Sequence, residues 1–470
     1  MCSALVAVEP GAVAFLMCVI FAHLKCSSGK IMKSAIRSGK EQILMGVIYK
    51  ALFMLITSIN ALVIVKLLTP EELGIWYIFM ALQTLLFILN SALTPNISRQ
   101  YSIAFTDIGE GFDPRLFHTK VIIIYNKIIL VATVMGVFFT LTYLNYVVDI
   151  FRLGNASILL SWVIVFASIL LEIYFTSYEC ALNGFGEFKK VNKVNFVSRL
   201  ILTLSIFTLL LSDVQSNCLL IFCGLYFFSN ITKRVMIINL FNHTFKDRGL
   251  KESRKTVDFF ERIRCKLQKL SFLSLLSSIG GVLIVRSGMF ILPFYVPMDQ
   301  VASYGLTYQL FELGFNVIFT ISIIVTPAWI SAYKNNPEGL KKSFTWVKYI
   351  SLLLMLICGL LITFLGNIIL EFADVETRVQ SVIFCFYLLV IFVLQVNHSI
   401  SGQLLTIQNK IPFAYASFLS GIFALILSGI LIKYYSVFGA IYAILISQLI
   451  YNNWKWPYEA YKFLRVHGNV

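Results

Sequence analysis

The chain has 470 residues, of which 59% are apolar and only 13% are charged. A soluble domain has about 45–50% apolar and roughly 25% charged residues, so these values argue against a water-soluble fold. The nine cysteines form no CxxC pair and no Cys/His cluster, which gives no indication of a disulfide framework, a metal site or a cofactor. The net charge of +15 could indicate a nucleic-acid partner, so its distribution has to be considered.

Twelve runs of the sequence are apolar enough to cross a membrane as helices, each of which needs about 20 residues. They lie at roughly 43–65, 74–93, 121–142, 157–178, 195–212, 218–238, 271–296, 302–331, 346–364, 380–402, 413–432 and 438–454. The fifth and the twelfth runs are the shortest. The sequence therefore predicts an all-α integral membrane protein with about twelve transmembrane helices.

Basic residues are very unevenly divided between the two sets of loops. With a cytoplasmic N-terminus, 30 of the 38 Lys and Arg residues fall in cytoplasmic segments, four in outer loops and four inside spans. Cytoplasmic loops carry an excess of Lys and Arg, so a multi-pass protein with both termini cytoplasmic is predicted. The positive charge is mainly this topological signal, and no nucleic-acid partner is expected.

The longest internal polar stretch, 241–269, divides the spans into two sets of six. We interpret it as a basic cytoplasmic linker between an N-terminal six-helix bundle, 42–240, and a C-terminal six-helix bundle, 270–456. A cytoplasmic tail, 457–470, follows, and a cytoplasmic leader, 1–41, precedes the first bundle.

The beginning of the leader has two interpretations. Met32 starts a typical cytoplasmic leader, MKSAIRSGKEQ, which favours translation from Met32 and makes residues 1–31 an upstream artefact. The alternative is a short membrane-surface segment, because Gly11–Leu24 is apolar but has no basic residues before it, as a signal peptide would.

The two halves share a short sequence pattern at the same point. LLTPEELGIWY after span 1 and YVPMDQVASYGLTY after span 7 each have a proline, an acid two residues later, and an apolar–small–x–aromatic group. The matching residues are Pro70, Glu72, Leu73, Gly74 and Trp76, and Pro297, Asp299, Val301, Ala302 and Tyr304. With six spans in each half, both halves start on the same side, so the bundles are predicted to be related by a pseudo-two-fold axis along the membrane normal. This is a transporter architecture, with the cargo path between the halves.

Charged residues inside spans are costly and therefore candidates for function. Arg286 is predicted near the middle of span 7, where its guanidinium suits phosphate or carboxylate, or pairs structurally with Glu312 of span 8. Glu312 and Glu172 are the candidate sites for a coupling proton or sodium ion, the alternative being salt bridges or helix contacts.

Three further cations, Lys50, Lys127 and Arg199, lie near the cytoplasmic ends of their spans. One interpretation is that these cations form a basic entry path that attracts an anionic headgroup. The other is that their long side chains extend to the membrane–water interface.

Two stretches resemble a known family. KLLTPEELGIWYIFMALQTLLFILNSALTPNISRQYS (Lys66–Ser102) resembles the first hairpin of Wzx-type polysaccharide flippases, of the multidrug/oligosaccharidyl-lipid/polysaccharide superfamily, through Pro70, Glu71, Glu72, Gly74, Trp76 and Arg99. CALNGFGEFKKVNKVN (Cys180–Asn195) resembles that family's turn after the fourth span. The stretch IVRSGMFIL (Ile284–Leu292) departs from the family in having no acid.

The resemblance implies a flippase of the bacterial inner membrane, not an enzyme. Such a protein moves an undecaprenyl-pyrophosphate-linked oligosaccharide, an O-antigen (lipopolysaccharide) or capsule repeat unit, from the inner to the outer leaflet by alternating access. The expected partners are the lipid-linked oligosaccharide and membrane lipids, with a polysaccharide polymerase and chain-length proteins as further candidates.

Three other functions remain open from the sequence, of which a non-transporting scaffold is disfavoured by the charges within the spans. A cation-coupled multidrug exporter of the same superfamily would favour acids in its cavity, whereas four cations face two acids within the predicted spans. A membrane-embedded polysaccharide polymerase or acyltransferase is expected to have a large outer loop, and the outer loops predicted here are short. No ATP-binding GxxxxGK[ST] motif occurs.

Overall fold

The computed structural model describes residues 35–108, 113–212, 217–245, 254–408 and 411–468. The predicted start at Met32 lies outside these residues. The chain divides into two compact units, Met1–Met45 and Gly46–Val470. The described residues of the first unit, 35–45, are helical, and the second unit holds the spanning segments described below.

The described residues of the first half of the chain form seven long helices. Its helices are α1 (Ala35–Leu67), α2 (Pro70–Leu86), α3 (Ile88–Ile108), α4 (Pro114–Phe139), α5 (Ala156–Gly184), α6 (Phe188–Leu211) and α7 (Cys218–Thr244). α4 continues through a π-helical turn, Thr140–Leu144, and a short helix, Asn145–Val148.

The described residues of the second half also form seven α-helices. Its helices are α8 (Arg254–Ile291), α9 (Met298–Asn335), α10 (Pro337–Phe372), α11 (Val382–Thr406), α12 (Ala414–Tyr435), α13 (Val437–Ile450) and α14 (Asn452–Gly468). Because α7 ends at Thr244 and α8 begins at Arg254, helices occupy both ends of the predicted linker, 241–269.

The number of spans is close to the predicted number. Among the described residues, ten helical segments are long and apolar enough to cross a membrane, and α2 with α3 passes the same test as a pair bent by 46°. The predicted second span, 74–93, is therefore two helices. The predicted twelfth span, 438–454, contains a helix break: α13 has 14 residues and ends at Ile450, which is short for a span. The all-α membrane class with two bundles is confirmed, and the described residues hold ten candidate spans by length and composition, or eleven if the bent pair is one span.

The start of α2 and the bend after it have local causes. Thr69 caps α2 in a capping box with Glu72, and Pro70 occupies the first turn, where its missing N–H costs nothing. Around the bend, the hydroxyls of Thr84 and Ser91 donate to the carbonyls of Met80 and Ile88, at 2.8 and 2.9 Å. Such side-chain bonds to the preceding turn compete with the helical ladder and favour bending.

The turn between α5 and α6 depends on one glycine. Gly186 has φ +82°, a conformation that residues with a Cβ rarely adopt. The N–H of Glu187 donates to the carbonyl of Leu182 at 3.0 Å, which closes the end of α5. Gly184 lies against the backbone of α3, and the hydroxyl of Ser102 donates to its carbonyl at 2.9 Å. The stretch that resembles the flippase turn is thus a tight, well-packed reversal.

The halves contact each other through the bent pair. Within the first half, α5 packs against α3, α4 and α7, and within the second half α8 packs against α12. Between the halves, α3 packs against α8 and α2 packs against α9. Spans 2, 7 and 8 therefore form the junction of the two bundles.

The two copies of the repeated pattern meet at this junction. A Cβ added to Gly74 of α2 would lie 2.5 Å from the carbonyl oxygen of Met298, at the start of α9. Gly305 of α9 lies against the ring of Tyr77, whose hydroxyl donates to Gln309 Oε1 at 2.7 Å. Gly74 of the pattern and the nearby Gly305 therefore allow close helix approach, as small residues do at helix interfaces in membranes.

We predict that Gly74→Ala separates α2 from α9 and lowers the free energy of unfolding by about 1–3 kcal/mol, as overpacking does. The measurement is the apparent melting temperature of the purified protein in detergent. Gly224→Ala in α7 is the matched control, because no atom lies within 4 Å of the added Cβ. That control should be neutral or stabilising by up to about 1 kcal/mol. Equal melting temperatures for the two variants would contradict a tight α2–α9 contact.

Candidate functional site

Two acids of α5 and two cations of α7 form an ion network inside the first bundle. Glu172 and Glu179 are seven residues apart, which puts them on one face of α5. Glu179 Oε1 lies 2.9 Å from Lys233 Nζ and accepts a hydrogen bond from Arg234 Nη1 at 2.6 Å. Glu172 Oε1 lies 3.1 Å from Arg234 Nη2 and 3.9 Å from Lys233 Nζ. Each acid therefore faces both cations.

Burial explains why all four charges are needed. The side chain of Arg234 is 3% exposed and that of Lys233 is 15% exposed. An unpaired charge in this position would have to be removed from water without compensation, at a cost of several kcal/mol. The four charges sum to zero, so the network can lie within the bundle, and it links α5 to α7.

A cavity of ≈ 80 Å³ lies beside this network. Its lining combines charged, amide and hydroxyl side chains from α1, α5, α6 and α7: Phe53, Glu172, Asn195, Ser198, Arg199, Leu202, Tyr226, Ser229, Asn230 and Lys233. A space of this size accommodates about five water molecules. Amides and hydroxyls around two cations suit an anionic or sugar-like ligand.

Arg199 is the predicted site residue that this cavity contains. Its guanidinium lies over the ring of Phe53, 5.4 Å from the centroid, a cation–π contact. Among the described residues, no carboxylate lies within salt-bridge distance of it. Arg199 therefore adds an uncompensated positive charge to the neutral α5–α7 network.

Lys50 lies near the same region, on the helix that packs beside α6. Asn192 donates its side-chain N–H to the carbonyl of Gly46 at 3.1 Å, and the rings of Tyr49 and Phe196 are 6.0 Å apart. Lys50 is one turn after Gly46 and is half-buried. Of these two predicted cations, Arg199 lines the cavity, and Lys50 lies on α1 one residue after Tyr49, which contacts α6.

Lys127 is not part of this group. It lies on an exposed position of α4, next to the exposed Asn126, and no ion pair of the described residues includes it. The exposed face of α4 carries large apolar side chains such as Leu130 and Val134, 66% and 63% exposed, which is typical of a lipid-facing surface. A headgroup could meet Lys127 only outside the cavity.

In the second bundle, Arg286 and Glu312 form an ion pair. Arg286 Nη2 donates to both carboxylate oxygens of Glu312, at 3.0 and 2.9 Å. The guanidinium lies 5.9 Å from the ring centroid of Tyr308, which stacks on Tyr304. The structural alternative for Arg286, a pair with Glu312, is therefore present, and the two residues still keep 20% and 24% exposure.

A further buried cation, Lys348 of α10, was not predicted. It is 3% exposed, and its Nζ lies 3.4 Å from Ser401 Oγ and 4.8 Å from the ring centroid of Tyr461 in α14. Lys348 is the third residue of predicted span 9, 346–364, and was counted among the cytoplasmic cations. Its burial was not anticipated: α10 begins at Pro337, well before the predicted span, and α14 packs against this helix.

The sequence analysis also missed three members of the ion network. Glu179 lies just beyond the predicted end of span 4, and Lys233 and Arg234 lie near the end of predicted span 6, 218–238, where they were counted among the cytoplasmic cations. α5 continues to Gly184, which brings Glu179 inside the helix and opposite both cations of α7. The available signal was the spacing of Glu172 and Glu179 on one helix face.

The chain matches no protein-family profile and no curated protein. Its fold is that of multidrug and lipid flippase transporters: an inward-facing MATE-family multidrug resistance transporter of the MOP superfamily is similar with a TM-score of 0.64 at 14% identity, over 90% of this chain and 96% of that one.

Two more solved structures are similar over nearly the whole chain. The lipid II flippase MurJ, in an inward closed conformation, has a TM-score of 0.60 at 14% identity, over 90% of this chain and 91% of that one. An outward-facing MATE transporter has a TM-score of 0.59 at 15% identity, over 92% and 97%. At this identity, the similarity establishes the fold, whose two bundles agree with the predicted architecture.

We predict that Glu179→Gln destabilises the protein strongly, because it leaves Arg234 and Lys233 without their closest acid. Removing one partner of a buried ion pair costs about 3–5 kcal/mol. The readouts are the folded fraction by size-exclusion chromatography and the melting temperature in detergent.

Glu187→Gln is the control, since Glu187 forms a surface pair with Lys190 at 3.1 Å, with 51% exposure for the lysine. An exposed pair contributes about 0–1 kcal/mol. A Glu179→Gln protein as stable as this control would contradict the structural role of the network.

Proposed function

We propose that the protein is a flippase that moves an undecaprenyl-pyrophosphate-linked oligosaccharide, an O-antigen or capsule repeat unit, between the leaflets of the bacterial inner membrane by alternating access. The observation that carries the proposal is the charge balance inside the spanning helices. Glu172, Glu179 and Glu312 are each paired with cations. Arg199 and Lys348 have no carboxylate within salt-bridge distance among the described residues. The surplus is positive, as an anionic cargo requires.

The fold supports the transport part of the proposal. Solved structures with this fold include a lipid II flippase and MATE transporters in inward-facing and outward-facing conformations. A cargo path between two bundles fits this architecture. One of these neighbours is a lipid II flippase, and the transfer of that activity to a related lipid-linked cargo here is our inference.

Each predicted site residue takes a role in this proposal. Arg199 and Lys50 meet the diphosphate at the α1–α6 contact, and Arg286 binds it or its sugar further along the path. Lys127, exposed on α4, attracts the headgroup from the leaflet. Glu172 and Glu312 remain the candidates for a coupling proton or sodium ion. A polysaccharide polymerase and chain-length proteins are the proposed partners.

A cation-coupled multidrug exporter is the second candidate, because the same fold carries such transporters. It would use Glu172 and Glu312 to bind a cationic drug. In this structure both acids contact guanidinium groups, Arg234 at 3.1 Å and Arg286 at 2.9 Å, so a drug would have to displace an arginine from each. This arrangement favours the anionic cargo.

Deletion of the gene in its host tests the proposed function directly. The surface polysaccharide should be lost while lipid-linked repeat units accumulate on the inner leaflet, measured by surface-polymer staining and by analysis of lipid extracts. A plasmid copy of the gene is the control and should restore the polymer. Normal polymer with new sensitivity to cationic drugs would contradict the flippase and favour the exporter.

We predict that Arg286→Ala abolishes transport while membrane insertion persists, and that Arg286→Lys is partly active. A lysine keeps the charge but lacks the planar fork that fits phosphate. The measurement is restoration of surface polymer in the deletion strain, with protein levels followed by immunoblot.

A double variant distinguishes anion binding by Arg286 from its structural pairing with Glu312. Arg286→Ala leaves Glu312 unpaired, which could reduce transport through lost stability alone. Arg286→Gln combined with Glu312→Gln removes both charges and keeps hydrogen-bonding side chains of similar size. We expect a stable protein without transport, and normal transport by this double variant would contradict a role of Arg286 in anion binding.

A further inference from the structure

The two acids of the α5–α7 network are held very differently. Glu179 is bound tightly, at 2.6 Å from Arg234 and 2.9 Å from Lys233, and is 15% exposed. Glu172 is more exposed, at 23%, lines the cavity and lies 3.9 Å from Lys233. Its 3.1 Å contact with Arg234 Nη2 lacks hydrogen-bond alignment, since that nitrogen has no hydrogen-bond partner among the described residues. Glu179 is therefore a fixed member of the network, and Glu172 is a loosely held one.

The cations in and beside the cavity have more donors than the two acids satisfy. Arg234 is 3% exposed, and both its Nε and its Nη2 lack a hydrogen-bond acceptor in the described part of the chain. Arg234 does not line the cavity itself but contacts Glu172, which does, whereas Arg199 lines the cavity with the ring of Phe53 as its contact. Buried donors without acceptors are costly. A group with more oxygens than one carboxylate would reduce this deficit.

A phosphate group has the chemistry and the size for this place. Its oxygens accept from guanidinium and ammonium groups, which bind phosphate and carboxylate in similar ways. The cavity of ≈ 80 Å³ has room for about five water-sized atoms, comparable to one phosphate group. Asn195 and Asn230 line the same space and supply amide donors.

We infer that Glu172 is an internal substitute for phosphate: it neutralises Arg234 and Lys233 while the cavity is empty, and the diphosphate of the cargo displaces it. No covalent bond changes; the carboxylate rotates away and phosphate oxygens take its contacts. This inference rests on the proposed anionic cargo and assigns Glu172 a role in release. After the cargo leaves, Glu172 returns to the cations, which prevents the site from retaining the diphosphate.

The test is diphosphate binding to purified protein in lipid nanodiscs, measured by isothermal titration calorimetry. The probes are inorganic diphosphate and a C15 isoprenyl diphosphate, which separate a free anion from a lipid-linked one. Suppose that Glu172 contacts the cations in about nine of ten molecules. Glu172→Gln should then tighten diphosphate binding about tenfold, because the fraction of molecules with a free cation site rises from about one tenth to nearly all. In the transport assay the same variant should reach saturation at lower cargo levels but with a lower maximal rate, since release is slower.

Two further variants control for overall charge and for folding. Glu187→Gln removes one acid at the surface of the same bundle and controls for the change in overall charge. Glu172→Asp keeps the charge on a shorter side chain, is the milder change for folding, and should bind with intermediate affinity.

The outcomes separate the two proposals. If the wild type binds diphosphate and Glu172→Gln binds it equally well or more weakly, the substitute role is overturned. The proposed anionic cargo is then unaffected. Absence of binding by the wild type and by all variants would overturn both. Tighter binding of inorganic diphosphate alone, with no gain for the isoprenyl diphosphate, would overturn the link to a lipid cargo.

Discussion

The removal of charge from water is the constraint on which this structure depends most. In a lipid environment an ionised side chain inside a helix bundle needs an opposite charge or a route to water. The α5–α7 network meets this requirement with two acids and two cations, Arg234 being 3% exposed. It also sets the position of α7 beside α5 and α6, where Ser229 and Ser198 exchange hydrogen bonds at 2.8 and 2.9 Å. The cavity with Arg199 exists because these three helices are held in this arrangement.

The sequence predicted the class of fold well because hydrophobicity and length carry that information. Runs of about 20 apolar residues can span a bilayer only as helices when backbone groups must be satisfied internally. The depth of individual charges was harder to predict. A few residues of error at a helix end decide whether Lys233 or Lys348 is a cytoplasmic flank or a buried cation. Partners across helices, such as Arg234 for Glu172, depend on helix rotation, which the sequence does not determine.

The repeated sequence pattern indicates more than the symmetry of the two halves, because its two copies lie at the contact between the bundles. Gly74 and Ala302 are the small positions of the two copies, and the start of α2 packs against the start of α9. Close helix approach in membranes relies on such small residues, since lipid gives no hydrophobic drive for helix association. The hydrogen bond from Tyr77 to Gln309 lies at the same junction and joins the halves directly. The bundle junction is therefore specified by a few small and polar residues.

The two halves use charge in different ways, which bears on how the molecule distinguishes its cargo. Inside the predicted spans, the described part of the second bundle holds the close pair Arg286–Glu312 and also Lys348, which lies among aromatic rings and a serine. The first bundle instead places a cation without an acid, Arg199, beside an acid that is loosely bound, Glu172. An anion entering the first bundle gains a cation and replaces a weak contact, whereas a cation entering there would have to separate Glu172 from Arg234 and approach Arg199. Under the proposed transport function, this asymmetry would make the first bundle the place where the sign of the cargo's charge is selected.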